Sequence, residues 1–315
     1  MFRRRSLRLL LLFVAAYLLL CSAAGLFIAE ATLHPARRPL LDADKTQAAT
    51  MARRHDAQLT EAALSAFDGN TLRAWQLRPA HDNGDAVILL HGLSDNRMGM
   101  IGMRKCLSPV VARLCSPMLA RTGQRRRDGD LRPIRVSRHS RVDGLDAGPR
   151  SSQMHFGLGE SMGAALLLQS LKDQPEFCAV VAESPFSDFR EIAYDRVGQY
   201  FRTGPWLGRS LLRPIVEIAF TYAHAKYGFD LENVSPRQAL SQTNIPVLLI
   251  RGQQDGNIPV RHSRAIASHN HDVTLGEVPG ADHCGAISVA HDAFQQKIIG
   301  WFTNPVVEKA ALPHN

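Results

Sequence analysis

Hydrophobic and polar positions along this chain fall into three patterns. The first is a single unbroken apolar run. Residues 9–29 carry no charge, and Arg3, Arg4, Arg5 and Arg8 stand just before them. A helix of that length reaches across a ~30 Å hydrocarbon core. The arginines hold its start on the cytoplasmic side, so the chain beyond residue 29 is expected on the extracytoplasmic, periplasmic side. The second pattern is a set of short apolar runs that end in Gly or a polar residue. They are AVILLHG (86–92), CAVVAES (178–184), IPVLLIRGQQD (245–255) and VTLGEVPGADH (273–283). Such runs predict strands buried on both faces. The third is helical: MHFGLGESMGAALLLQSLKD (154–173) reads as strand, sharp turn and helix, and HDAFQQKIIGWF (291–302) as an amphipathic helix. Strands alternating with helices predict an α/β fold with a mostly parallel sheet flanked by helices.

The rest of the chain divides around these elements. Residues 1–30 read as a signal anchor or transmembrane helix and 31–59 as a linker leading into helix. Residues 60–305 read as the α/β domain and 306–315 as a tail. Two other readings of the N-terminus stay open. Cleavage at Ser22-Ala23-Ala24 would release a secreted protein, although the apolar run exceeds the ~7–15 residues usual for a signal peptide. Cys21 as a lipoprotein site lacks the small residues expected before it. The five cysteines show no metal-ligand spacing and, being odd in number and scattered, no disulfide framework.

The net charge of +8 suggests a nucleic-acid partner until it is located. Residues 103–153 hold twelve Lys and Arg against four Asp, which accounts for all of it. The remainder is balanced at 25 basic and 25 acidic residues, so its surface offers no general field for polyanions. No nucleic-acid partner is expected.

The chemistry concentrates at strand ends. Gly159-Glu160-Ser161-Met162-Gly163 is G-x-S-x-G between a strand and a helix, a turn that leaves a Ser hydroxyl exposed above a sheet. A Ser nucleophile needs a base, and the base needs an orienting carboxylate. Asp255 ends the 245–255 run and His283 sits just after the strand that starts at Val273, in the order Ser, acid, His. Ser161 is therefore the candidate nucleophile, His283 the base and Asp255 its orienter. Asp282 and Asp188 are weaker candidates for the acid. His91 is expected to support its loop, and His262 and His291 to be surface residues on helices. The backbone N–H groups of Leu93 and Met162 are the candidate oxyanion donors.

Through these residues the chain resembles the α/β-hydrolase superfamily, in particular its membrane-anchored Bem46-like and serine-aminopeptidase-like branch. The resemblance is carried by HGLSDNR from His91, GLGESMGAA from Gly157, AESPFSD from Ala182, IPVLLIRGQQDGNIP from Ile245 and PGADH from Pro279. It implies the α/β-hydrolase fold with a helical cap. It also implies hydrolysis of an ester, thioester or amide through an acyl-enzyme, with no metal and no cofactor. The substrate would be a small-molecule or lipid-like acyl compound. Residues 185–235 correspond to the cap and hold 10 of the 21 aromatic residues, which suits an apolar acyl pocket over Ser161 or simply the cap's own core.

The resemblance fails across 103–153. Relatives have a helix, a hydrophobic strand and a D-x-R-x-H-G loop there, whereas this segment has no Glu, Phe, Tyr or Trp. Codons for SPMLARTG (116–123) can be written TCC CCG ATG CTC GCG CGC ACG GG. Read one base earlier, they give Leu-Pro-Asp-Ala-Arg-Ala-His-Gly, the missing strand end and loop. A one-base deletion near Gly102, compensated near Gln153, would account for the segment. The expectation is then that 103–153 is disordered and lacks the interior strand. The alternative function is a non-catalytic or misfolded product of a frame-disrupted hydrolase gene.

Overall fold

The computed structural model describes residues 2–65, 71–81, 83–103, 113–115 and 154–304. These fall into two compact units. One comprises residues 2–35 and 188–234, the other 36–103, 113–115, 154–187 and 235–304.

The larger unit is built on one sheet. Its strands are β1 (Ala57–Ser65), β2 (Thr71–Pro79), β3 (Ala86–Leu90), β4 (Arg113–Cys115), β5 (His155–Glu160), β6 (Phe177–Glu183), β7 (Val247–Gly252) and β8 (Val273–Val278). They lie in the order β1-β2-β4-β3-β5-β6-β7-β8. β1 and β2 are antiparallel to each other, and β2 is antiparallel to β4; every pairing from β4 onward is parallel. The sheet is therefore mostly parallel, as the alternation of runs predicts. β7 is buried at all six positions, the pattern expected of an interior parallel strand covered on both faces.

Helices cover this sheet. In the larger unit these are α2 (Asp42–Arg54), α3 (Met162–Ser170), α7 (Pro236–Leu240), α8 (Val260–Ala267), α9 (Ala286–Val289) and α10 (His291–Thr303). α10 lays Phe294, Ile298, Trp301 and Phe302 into the core with Val87, Leu89, Phe156, Leu158 and Val181. The Trp301 indole N–H donates to the Val180 carbonyl at 3.1 Å, which fixes the helix against β6. α3 and α7 bury Ala164, Leu167, Leu168 and Leu240 with Val180, Val247 and Leu249.

Two expectations change here. Residues 31–59 are not only a linker. α2 and the start of β1 lie within them, and Ala48 and Ala52 join the main core. Two alanines spaced four apart on an otherwise polar helix bury a narrow stripe that a hydrophobic pattern does not reveal. The interior of the sheet is also not empty. Arg113–Cys115 form β4 between β2 and β3, pairing parallel to β3 through Ala86, Val87 and Ile88. Three residues supply the ladder partners that the sheet needs at that position. The rest of the 103–153 expectation lies outside the described residues, apart from Met103 itself, which is buried in the core.

The smaller unit contains α1 (Phe2–Leu33), α4 (Phe189–Tyr200), α5 (Gly204–Arg209) and α6 (Arg213–Tyr227). α1 is one helix long and apolar enough to cross a membrane, and its Leu9, Leu10, Leu11, Leu12 and Phe13 are exposed. Its C-terminal half runs along α6. A Cβ at Gly25 would lie 2.8 Å from the Ile215 carbonyl oxygen, so only Gly permits that approach. Cys21 is buried with Ile215, Val216 and Phe220. Beyond it, Glu30 accepts hydrogen bonds from Tyr222, Tyr227 and Lys226.

Candidate active site

The site forms where β5, β7 and β8 end. β5 delivers Ser161 on a backbone with φ 51° and ψ −114°. That left-handed conformation is costly for a residue with a Cβ, and it is held by its surroundings. The Ser161 N–H donates to the Glu183 carbonyl at 2.8 Å, and Ser161 O accepts from Ala165 N at 3.0 Å. The glycines on either side are sterically required. A Cβ at Gly159 would meet the Ala164 backbone at 2.7 Å, and one at Gly163 would meet the Leu90 carbonyl oxygen at 2.3 Å. The chain can thus reverse from strand to α3 within three residues.

Asp255 stands three residues past β7, in a turn that it organises itself. Its Oδ1 accepts the N–H groups of Asn257 and Ile258, each at 2.9 Å. Its Oδ2 lies 2.9 Å from His283 Nδ1. Burial alone would push this carboxyl up. The bonds from His283 and from Ile258 outweigh that and hold it below the ordinary aspartate value. His283 completes the chain, with Nε2 2.9 Å from Ser161 Oγ. The three residues, separated by up to 122 positions in sequence, form one continuous hydrogen-bonded line.

The remaining candidates occupy varied positions around this line. Met162 is the first residue of α3, whose first-turn N–H groups have no acceptor within the helix. Leu93 comes after β3 in a turn, and the adjacent Gly92 runs beside Ser161: a Cβ there would lie 3.5 Å from the Ser161 Cβ. His91 is buried and its Nδ1 lies 2.8 Å from the Gly92 carbonyl, which suits a loop-supporting role. Asp282 is exposed, and its carboxylate lies against Gly285 rather than bonding to His283. Asp188 is the N-cap residue of α4 in the smaller unit.

His262 is a correction. It lies on α8, as expected, but is fully buried, with Nδ1 2.9 Å from Ser187 Oγ and 3.2 Å from the Ser187 N–H. A histidine on a short polar helix gives no sequence signal of the serine that will satisfy it. His291, by contrast, is half-exposed at the start of α10.

Two carboxyls beside the line, Glu183 buried and Glu160 half-buried, escape sequence reasoning as well. Glu160 and Glu183 are register partners on β5 and β6. Burial, the charge of Glu183 and that of Asp95 push Glu160 up to about 8. Burial is also the main cause that raises Glu183 to about 7, against the pull of its bond from Ala286 and the charge of His283. Burial and the surrounding carboxylates push the Cys284 thiol up as well. The available signal was a charged residue ending each of two otherwise apolar runs.

No sequence model of a protein family matches the chain, and no curated protein matches it by sequence. Solved structures do match by fold. The Pyrococcus furiosus esterase Pf2001 superposes with a TM-score of 0.59 at 17% identity, covering 85% of this chain and 96% of the esterase. Est1E from Butyrivibrio proteoclasticus gives 0.55 at 17% identity over 78% and 99%. The meta-cleavage product hydrolase from Pseudomonas fluorescens gives 0.51 at 15% identity over 78% and 98%. The chain has the α/β-hydrolase fold.

Proposed function

We propose that this protein is a serine hydrolase that cleaves an ester, thioester or amide through an acyl-enzyme. The observation that carries this reading is the unbroken line from Ser161 Oγ through His283 to Asp255, with both links at 2.9 Å. The fold it shares with esterases supports it. Ser161 Oγ attacks the substrate carbonyl while His283 Nε2 takes its proton. Asp255 holds the ring by Nδ1–H and stabilises the imidazolium. The N–H groups of Met162 and Leu93 receive the developing oxyanion. The intermediate collapses as His283 returns the proton to the leaving group. Water, deprotonated by His283, then attacks the acyl carbon and releases the acid and Ser161.

The substrate is a small-molecule or lipid-like acyl compound, and residues 185–235 are the cap that selects it. α1 anchors the protein in a membrane, with the hydrolase on the extracytoplasmic side, in the manner of the Bem46-like and serine-aminopeptidase-like branch. The test is labelling with a fluorophosphonate probe. Labelling that disappears in Ser161→Ala is expected; a well-folded protein that never labels overturns the reading.

A second reading keeps the fold without the chemistry. It is motivated by residues 116–123, for which codons can be written that, one base out of frame, encode the strand end and loop expected there. Resequencing the gene from Gly102 to Met154 tests it, and an unbroken frame through that stretch removes it.

A further inference from the structure

Glu183 ends β6 with its side chain 1% exposed. Its Oε1 accepts the Ala286 N–H at 3.0 Å, while Oε2 has no hydrogen-bond partner. Ala286 is three residues beyond His283, and Cys284 between them has φ 54°. The chain thus leaves His283 through a strained residue and is tied down by a carboxylate immediately afterwards. The ionisable groups around Glu183 are Glu160 on β5, Asp255 after β7, and Asp282, His283 and Cys284 of the loop itself. No Lys or Arg among the described residues forms an ion pair with it. His283 is the one ionisable neighbour that favours its charged form.

We propose that Glu183 is a positioning residue for His283: it anchors the 283–286 loop, and with it the imidazole that Asp255 already holds, through the Ala286 N–H. The inference rests on His283 being the base of the proposed hydrolase. Binding through a neutral acceptor and acting as a charge are separable roles. Gln at this position keeps an oxygen for Ala286 but no charge, and Ala keeps neither.

The consequence is a second titration beside the same loop. Glu183 changes charge at about 7, within the range where a histidine ring works. Two coupled ionisations make the acid limb of a rate profile steeper than one.

The test compares Glu183→Gln and Glu183→Ala with the wild type on an activated ester. Glu183→Ala is expected to lose about 10- to 100-fold in kcat with KM unchanged, the usual cost of a loosened catalytic group. Glu183→Gln is expected to recover most of that loss and to flatten the acid limb of kcat/KM to a single ionisation. In parallel, the His283 ring nitrogens are titrated by NMR. Two inflections are expected in the wild type and one in Glu183→Gln. Wild-type kcat in Glu183→Ala, or identical His283 titrations in wild type and Glu183→Gln, overturns the inference. The NMR titration reads the coupling even in a chain without turnover. Absent fluorophosphonate labelling, which sinks the hydrolase reading, is therefore distinguishable from failure of the Glu183 role. Glu183→Gln also serves if Glu183→Ala fails to fold.

Discussion

The ends of β5 and β6 are near twins. Each finishes in Glu-Ser, with Glu160 paired in register to Glu183. Ser161 has φ 51° and Ser184 φ 50°. Each serine N–H donates at 2.8 Å to the next strand, Ser161 to the Glu183 carbonyl and Ser184 to the Ile250 carbonyl. Yet only Ser161 reaches a base, and Ser184 is buried at 1% exposure. The next residue in the chain makes part of the difference. Met162 offers an N–H and opens a helix, whereas Pro185 has no N–H to offer an oxyanion. Gly163 then lets α3 pass against the Leu90 carbonyl. A strained turn by itself thus does not make a candidate nucleophile. That also takes a donor after it and a histidine brought to it by a distant strand.

The sharpest way to break this comparison is to exchange the fates of the two serines. Ser161→Ala is expected to abolish labelling and lower kcat by about 10⁴- to 10⁶-fold, with Ser184→Ala keeping both. Equal losses in the two variants, measured on an ester substrate, would remove the distinction. Next in size is Asp255→Asn, which keeps the shape but lets His283 take the wrong tautomer. Its kcat is expected to fall by about 10³- to 10⁴-fold with KM little changed.

Gly163→Ala probes the turn rather than the chemistry. Its Cβ would sit 2.3 Å from a backbone oxygen and 2.6 Å from another, so the helix must shift. A loss of about 3 kcal/mol in denaturant unfolding is expected, with unchanged stability contradicting the tight crossing.

The smallest effect concerns Glu160, whose value of about 8 stands above the ordinary 4.5. Between those values the folded protein keeps a proton that the unfolded chain has released. Stability from this group is therefore complete below about pH 4.5 and is lost as pH rises through about 8. Glu160→Gln removes that slope. It is expected to gain on the order of 1–3 kcal/mol over wild type at pH 9 relative to pH 5. Parallel stability curves for the two proteins across that range would count against a half-buried, protonated Glu160.

Much of the sheet was legible because apolar runs bounded by Gly have one main use in an α/β chain. β3, β5, β6, β7 and β8 fall within two residues of the expected runs at their N-terminal ends. Ser161, Asp255 and His283 were legible for a related reason: loops at strand ends are where polar residues are free to point at a ligand. The packing of α2 into the core was missed because alanine stripes carry little hydrophobic contrast. β4 was missed because three residues show no periodicity. His262 and Glu183 were missed because a buried polar group is defined by its partner, and Ser187 and Ala286 lie 75 and 103 positions away.

The sequence by itself determined the strand–helix alternation, the glycines around Ser161, the long apolar N-terminal helix and the order of the three polar residues. These depend on local sterics and on hydrophobic patterning, which neighbouring residues carry. Only the tertiary structure decided that Ser161, His283 and Asp255 meet at 2.9 Å, which of two Glu-Ser turns is open, and which carboxylates pair in register beside them. Those outcomes depend on distances between strands far apart in the chain, and sheet order and register alone fix them.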